Sequence, residues 1–334
     1  MTFFGPLLPL FRLGMLHCDG SECQCGCVPE GSGTLRVFVL GGTGTIGAPM
    51  VRALIERGHD VWALARSDAA AARLGACGAT PLAGDIARPE QWVARIPRID
   101  AIIHAACDHN SEMGAIDAHL LDVLLAALAT QSATPRFITT GGCWLFGATG
   151  DAIATEATPL RPLPAFAWMV PQLRRILAAP EVDGIVIHPA MVYTAAGGVF
   201  TRFAREARER GAIRVVESEE VRWPLVHSED LAALYAAALE LAPPRSSYIG
   251  AATEGLSVGR IARAFAKRLA LPHPEPQILS ADAIAAELGE WARGYALDQR
   301  LSGEKARREL GWRPRHLDPE GEIAGNVALP EPEA

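Results

Sequence analysis

Apolar and polar positions along this chain follow two rhythms. Short, mostly apolar runs at residues 35–40, 61–66, 79–82, 100–106 and 136–140 have the continuous hydrophobic character of strands buried on both faces. Between them the apolar positions recur every three or four residues. Ile46, Met50, Val51, Leu54 and Ile55 share one helical face, with Arg52, Glu56 and Arg57 on the other. Helices are likewise expected over 68–76 and, with Pro89 in the first turn, over 91–96. A long one is expected over 113–130, where Leu120, Leu121, Val123, Leu124, Leu125 and Leu128 make most of the circumference apolar. Such a helix has to be covered on more than one side, by another domain or by a second subunit, which leaves a homodimer open. Strand and helix in alternation predict an α/β fold, a doubly wound and mostly parallel sheet with helices on both faces.

Amphipathic segments continue beyond the alternation. Residues 200–210 read as a helix whose Arg202, Arg205, Arg208 and Arg210 form a solvated face partnered by Glu206 and Glu209, with Gly211 ending it. Residues 226–230 are expected to return to the sheet and open a helix with Ser228 as N-cap, Glu229 and Asp230 in its first turn, and Leu231, Leu234, Tyr235 and Leu239 as its apolar residues. Further amphipathic segments cover 256–269, 280–288 and 302–310, with Glu290, Tyr295 and Asp298 between them as candidates for a pocket wall. The expected organisation is a poorly ordered leader over 1–33, a nucleotide-binding domain over 34–190 to which 225–250 returns, and a small C-terminal substrate domain from 191–224 and 251–330. The Pro- and Glu-rich end, 329–334, reads as frayed.

The chemistry gathers where the first strand meets the first helix. Gly41, Gly44 and Gly47 stand three apart: Gly41 permits the tight turn, Gly44 the close approach of a pyrophosphate, and Gly47 the packing of helix on sheet. With Thr45 and Ile46 they form a loop whose phosphates sit on free helix N–H groups. At the end of the second strand an acid would take the ribose hydroxyls of NAD, whereas an Arg pairs with the extra phosphate of NADP. This strand ends in Arg66 and Ser67, and the nearest acid, Asp60, lies at its wrong end, so NADP is expected, with NAD the alternative. Asp85 and Ile86 follow the third strand, where the carboxylate can meet the adenine edge. Ala105 and Ala106, after the fourth, are small enough to lie beside a cofactor, and His104 before them reads as pocket wall or core rather than as a base.

Composition narrows the partners. A net charge of −7 over 334 residues, with one short basic run at 305–315 broken by Glu309, argues against nucleic acid and for a small-molecule partner. No stretch approaches the about 18 apolar residues of a membrane span, so a soluble, cytoplasmic protein is expected. Cys77, Cys107 and Cys143 lie far apart in ordinary apolar segments and suit reduced thiols. The leader's Cys18, Cys23, Cys25 and Cys27 lack the paired two-residue spacing of common zinc sites, and no metal is expected.

The motifs resemble the extended short-chain dehydrogenase/reductase superfamily, specifically the NAD-dependent epimerase/dehydratase group, over about residues 35–314. The resemblance rests on the Gly41–Gly47 loop, Gly84-Asp85, Ile103-His104-Ala105-Ala106, Thr140-Gly141-Gly142 followed by Leu145-Phe146-Gly147, and His188-Pro189-Ala190-Met191-Val192-Tyr193. Pro224-Leu225-Val226-His227 with Asp230, and Leu310-Gly311-Trp312-Arg313-Pro314, complete it. It implies a Rossmann-type fold with a small C-terminal substrate domain and a nicotinamide cofactor flanked by Pro189 and Val192. The activity implied is that of an epimerase, dehydratase or reductase acting on a carbonyl or hydroxyl of a small, sugar-like molecule. One departure is chemical. The superfamily's catalytic Tyr and the Lys four residues after it fall, by spacing from Gly147, near Trp168 and Gln172, and Gly142 stands where a hydroxyl residue belongs. Neither Trp nor Gln titrates near neutral pH. Pro171 further suggests that this helix starts late and is re-registered. Thr140 and Tyr193, each following a strand end on the cofactor side, are the hydroxyl candidates for catalysis. The alternative is a sensor or scaffold that binds NADP(H) and catalyses nothing.

Overall fold

In the computed structural model the described residues are 33–107, 112–195 and 197–327, so residues 1–32 of the leader, with its four cysteines, and the 329–334 end lie outside them. Strand β1 (Arg36–Leu40) runs through the middle of a seven-stranded parallel sheet. Strands β2 (Asp60–Ala65) and β3 (Thr80–Ala83) extend it on one side. On the other side lie β4 (Ala101–His104), β5 (Arg136–Thr140), β6 (Asp183–Pro189) and finally β11 (Ser246–Gly250). Because the winding reverses between β1 and β4, a crevice opens beyond their carboxyl ends, where ligands of such sheets bind.

The run Val37-Phe38-Val39-Leu40 is wholly buried, and its side chains alternate between two cores. Val37 and Val39 meet Met50, Val51 and Leu54 of α1 (Gly47–Glu56), beside which α6 (Ser228–Leu241) packs. Phe38 and Leu40 meet Leu120, Leu121 and Leu124 of α3 (Met113–Leu128) and Ile176 of α4 (Met169–Ala178). The apolar circumference of α3 is thus covered within this chain by the sheet and α4. It also meets two single 3-10 turns, Pro89–Gln91 and Val93–Arg95, which replace the one short helix expected there. Helix α2 (Asp68–Ala76) spans its expected residues, and α4 begins at Met169. Pro171 therefore falls in a first turn, where no intrahelical acceptor awaits its missing N–H.

Beyond β6 the chain builds smaller sheets. Strands β7 (Met191–Thr194), β8 (Gly197–Gly198), β10 (Arg222–His227) and β12 (Thr253–Ser257) form one, in the order β12-β10-β7-β8. Strands β9 (Arg214–Val216) and β13 (Gln277–Leu279) pair as another, and α5 (Phe200–Arg210), α7 (Val258–Arg268) and α8 (Ala281–Leu288) pack around them. Two expectations need correction. Residues 226 and 227 end β10 in the smaller sheet, so the return to the large sheet is made by α6 and β11. The N-cap of α6 is His227, whose Nδ1 accepts the Glu229 N–H at 3.3 Å, and Ser228 is the first helical residue.

Candidate functional site

The glycine loop is shaped by backbone contact. Gly41 has φ +86°, and a Cβ there would lie 2.6 Å from the Ala105 carbonyl oxygen, so the loop crosses directly over the end of β4. The Gly44 N–H donates to the Gly41 carbonyl at 3.1 Å, and the Ala48 N–H to that of Gly44 at 2.9 Å. A Cβ on Gly47 would sit 2.0 Å from the Gly41 oxygen, so helix and loop touch main chain to main chain. No side chain caps α1, and its first turn holds no acid. The Ala48 N–H is taken by Gly44 and Pro49 has none, so the Gly47 N–H, with those of Thr45 and Ile46 before it and the positive dipole end, is what meets the crevice, a cradle that fits the pyrophosphate of a dinucleotide.

A cleft of about 790 Å³ extends from the ends of β2 and β3, over this loop, to the ends of β5 and β6. Gly41, Gly44, Thr45 and Ile46 line it at the loop, Arg66, Ser67, Asp85 and Ile86 at one end, and Ala105, Ala106, Thr140, Pro189 and Val192 towards the other. Gly47 lies behind the loop and holds it rather than lining the cleft. Ser67 caps α2, its hydroxyl accepting the Ala70 N–H at 3.2 Å while keeping its own proton to donate. Asp85 spends one carboxylate oxygen on the Ala87 N–H, at 3.0 Å. Arg73, which the sequence did not single out, joins Arg66 at this end and donates to the Thr43 carbonyl at 2.9 Å.

The two hydroxyl candidates are both engaged. Thr140 donates its one proton to the His104 carbonyl at 2.8 Å and accepts that of Tyr235 at 2.6 Å, tying β5 to β4 and α6. Tyr193 does not reach the cleft: it is buried against Phe200, ring centroids 4.6 Å apart, and donates to the His316 carbonyl at 3.2 Å. Burial, and then the charge of Asp230, raises the pKa of its hydroxyl, which stays neutral. Trp168, the N-cap of α4, and Gln172, four residues further on, do line the cleft. Beside them is a pair that the sequence left apart: His104 Nε2 lies 2.7 Å from Asp117 Oδ1, and both residues line the cleft. His104 Nδ1 is buried and has no hydrogen-bond partner. The spacing of thirteen residues, from strand end to helix, hides such a pair from any local pattern.

Other titratable groups here are held inert. Burial pushes the Cys143 thiol up to about 12, so it is no nucleophile at neutral pH. His188 lies beneath the floor, where its Nδ1 would be 2.4 Å from a Cβ on Gly141. Burial pushes its pKa down to about 4, against a hydrogen bond to the backbone of Gly142 that acts in the opposite sense, and the ring is neutral. Among the described residues, His227, Glu229 and His316 bring metal-ligating atoms within 4.8 Å of one another. The two imidazoles are stacked, however, with centroids 3.9 Å and planes 25° apart, and His227 Nδ1 already serves the cap, so the lone pairs do not converge on a common point. The neighbouring Asp230 instead clamps the segment from Trp312 to His316. The Asp230 carboxylate accepts the N–H groups of Arg315 and His316 at 2.8 and 2.9 Å, and its carbonyl accepts the Trp312 indole N–H at 2.7 Å.

The strand order, the reversal at β1 and β4 and the three-glycine loop define a Rossmann-type nucleotide-binding fold. The chain belongs to the NAD dependent epimerase/dehydratase family, whose model matches residues 37–250. It is 29% identical over 290 residues to an uncharacterized protein of Schizosaccharomyces pombe, covering 84% of this chain and 96% of that one. It is 27% identical over 314 residues to a 3-diazoavenalumate denitrifying reductase of a Streptomyces species, covering 84% and 97%. Among solved structures, the dTDP-glucose 4,6-dehydratase of Streptomyces venezuelae, with NAD bound, superposes with a TM-score of 0.74 at 19% identity, covering 88% and 96%. Among the described residues no helix is long and apolar enough to cross a membrane.

Proposed function

We propose that this chain is an NADP(H)-dependent oxidoreductase that reduces a carbonyl of a small molecule, or oxidises the corresponding alcohol. The observation that carries the reading is the single cleft joining the phosphate cradle to the His104–Asp117 pair. A bound dihydronicotinamide supplies the hydride that forms the new C–H bond. The chain's own task is to give the developing alkoxide a proton. Trp168 and Gln172 cannot do so, and the hydroxyl of Thr140 is spent. The pair can, with Asp117 holding Nε2 and so orienting the imidazole. The relation to a reductase along nearly the whole of that protein supports the class of reaction.

NADP is preferred over NAD because Arg66 and Arg73 stand together at the cleft end beside the start of α2, and the strand-end position is not acidic. Arg66→Ala is expected to weaken NADPH binding about 10- to 100-fold, the ~1.5–3 kcal/mol of a charge-assisted hydrogen bond, and to leave NADH binding nearly unchanged. Calorimetric titration of both cofactors checks this, and equal effects on the two overturn the assignment.

The class of activity is tested by incubating the protein with NADPH deuterated at either face of C4 and a set of carbonyl compounds. Label in a product alcohol is the expected result. Tight NADPH binding without transfer favours the sensor, the reading that the missing Tyr and Lys allow. His104→Gln is expected to lower the transfer rate by about 100-fold or more with the NADPH affinity unchanged. An unchanged rate removes His104 from the proton path.

A further inference from the structure

We infer that the substrate of the oxidoreductase proposed above, a reading on which this inference rests, is an uncharged, flat aromatic carbonyl compound rather than a sugar nucleotide. The cleft wall towards the ends of β5 and β6 is built from Trp144, Phe166, Trp168, Met169, Met191 and Val192. Both indoles are seated where a glycine leaves room. A Cβ on Gly294 would lie 2.4 Å from the Trp144 ring, and one on Gly114 would lie 3.0 Å from Cγ of Trp168. Trp144 is held further by Phe166 at 5.5 Å and by Tyr295 at 5.6 Å with the rings perpendicular. These are fixed aromatic surfaces, suited to stacking a planar ligand. Nε1 of each indole is buried without an acceptor in the protein. Both donors are closed off from the cleft, so what this wall offers a ligand is ring surface.

Charge points to the same class. Among the described residues the charged side chains lining the cleft are Arg66, Arg73, Asp85 and Asp117, with the His104 imidazole beside Asp117. Both arginines belong to the β2–α2 end, taken by the cofactor phosphate, so no Arg or Lys lines the β5–β6 end. A diphosphate there would leave water to face Trp and Met side chains and the Asp117 carboxylate with no counter-charge, an uncompensated cost of several kcal/mol. A bare sugar fares little better, because Thr140 is already engaged and a flat apolar wall leaves most sugar hydroxyls unpaired. The aromatic wall thus replaces the sugar-like substrate suggested by the sequence.

The test uses the full chain. NADPH is titrated first by calorimetry, which establishes cofactor binding independently of any substrate. Acetylnaphthalene, UDP-glucose and dTDP-glucose are then titrated with and without NADPH, followed by tryptophan fluorescence and by NADPH consumption. Acetylnaphthalene is expected to bind, quench the indoles and consume NADPH, with neither nucleotide sugar competing at equal concentration. Trp144→Ala is expected to weaken the ketone roughly tenfold or more, and Trp144→Phe to restore most of the affinity. Thermal melts report whether both variants fold. A nucleotide sugar that binds more tightly than the ketone, a ketone that does not bind, or an affinity indifferent to Trp144→Ala in a folded variant overturns the inference. If the ketone binds in a Trp144-dependent way and NADPH does not bind, the oxidoreductase reading falls and the aromatic specificity of the wall stands.

Discussion

Gly47→Ala is expected to abolish dinucleotide binding and to destabilise the fold at the same time. The added Cβ would lie 2.0 Å from the Gly41 oxygen and 2.7 Å from its carbonyl carbon, and neither neighbour is a side chain that can rotate away. The helix must move off the loop, or the loop off β4, where Gly41 is itself against the Ala105 backbone. Overpacking of this kind costs about 1–3 kcal/mol in a core, and backbone-to-backbone contact places it at the upper end. Losing even one or two hydrogen bonds to phosphate from the N–H groups of Thr45, Ile46 and Gly47 removes ~1.5–3 kcal/mol each, so NADPH affinity should fall by about 100-fold or more. Gly44→Ala separates the two effects. Its Cβ would lie 3.5 Å from the Gly41 oxygen, an ordinary contact, so the fold should keep its stability. The methyl would nonetheless stand where the pyrophosphate must approach, and binding should still be lost. NADPH titration alongside urea unfolding checks both variants. A Gly47→Ala protein that binds NADPH as tightly as the parent would show that the loop does not form the phosphate cradle.

The elements around this loop were legible because their physics is local. A strand buried on both faces must be apolar throughout, and β1 is, at every position from Val37 to Leu40. The helical stripe of α1 and the Gly211 stop of α5, with φ +63°, depend on neighbours within one turn. What the sequence did not show depends on residues distant along it. Tyr193 follows a strand end on the cofactor side, as expected, but β7 pairs with β10 and turns the ring onto Phe200 and the His316 carbonyl. His104 and Asp117 are each unremarkable in sequence, and only the register of β4 beside α3 brings Nε2 and Oδ1 within 2.7 Å. Trp168 was found at the position of the lost Tyr, yet its seat on Gly114 and its company with Trp144 are properties of packing.

The Arg-rich helix α5 shows the same division and sets the second large effect. Arg205, Arg208 and Arg210 are solvated, as the charge pattern implied. Arg202 and Glu206 are not: they are 5% and 3% exposed, beside the Phe203 and Ala207 stripe. Glu206 accepts Arg202 Nε at 3.2 Å and, from Arg214 beyond the Gly211 turn, the backbone N–H at 3.0 Å and Nη2 at 3.0 Å. Burial lowers the pKa of Arg202, with Glu206 opposing the shift, yet the guanidinium stays charged at any working pH. Glu206→Leu would leave the buried Arg202 without its carboxylate and Arg214 with only the partly exposed Glu287, at 2.8 Å. Breaking a buried pair from one side costs about 3–5 kcal/mol, against about 0.5 kcal/mol or less for Glu209→Ala on the exposed face. Urea unfolding of the two variants measures the contrast, and a loss below ~1 kcal/mol for Glu206→Leu would show that Arg202 finds water or another partner. The same carboxylate also bears on the substrate wall. Arg202 lies over the Tyr295 ring at 4.8 Å, and Tyr295 in turn braces Trp144. Where Glu206→Leu still folds, aryl ketone affinity should therefore weaken while NADPH affinity holds, because the cofactor cradle is built on β1 and α1 rather than on α5.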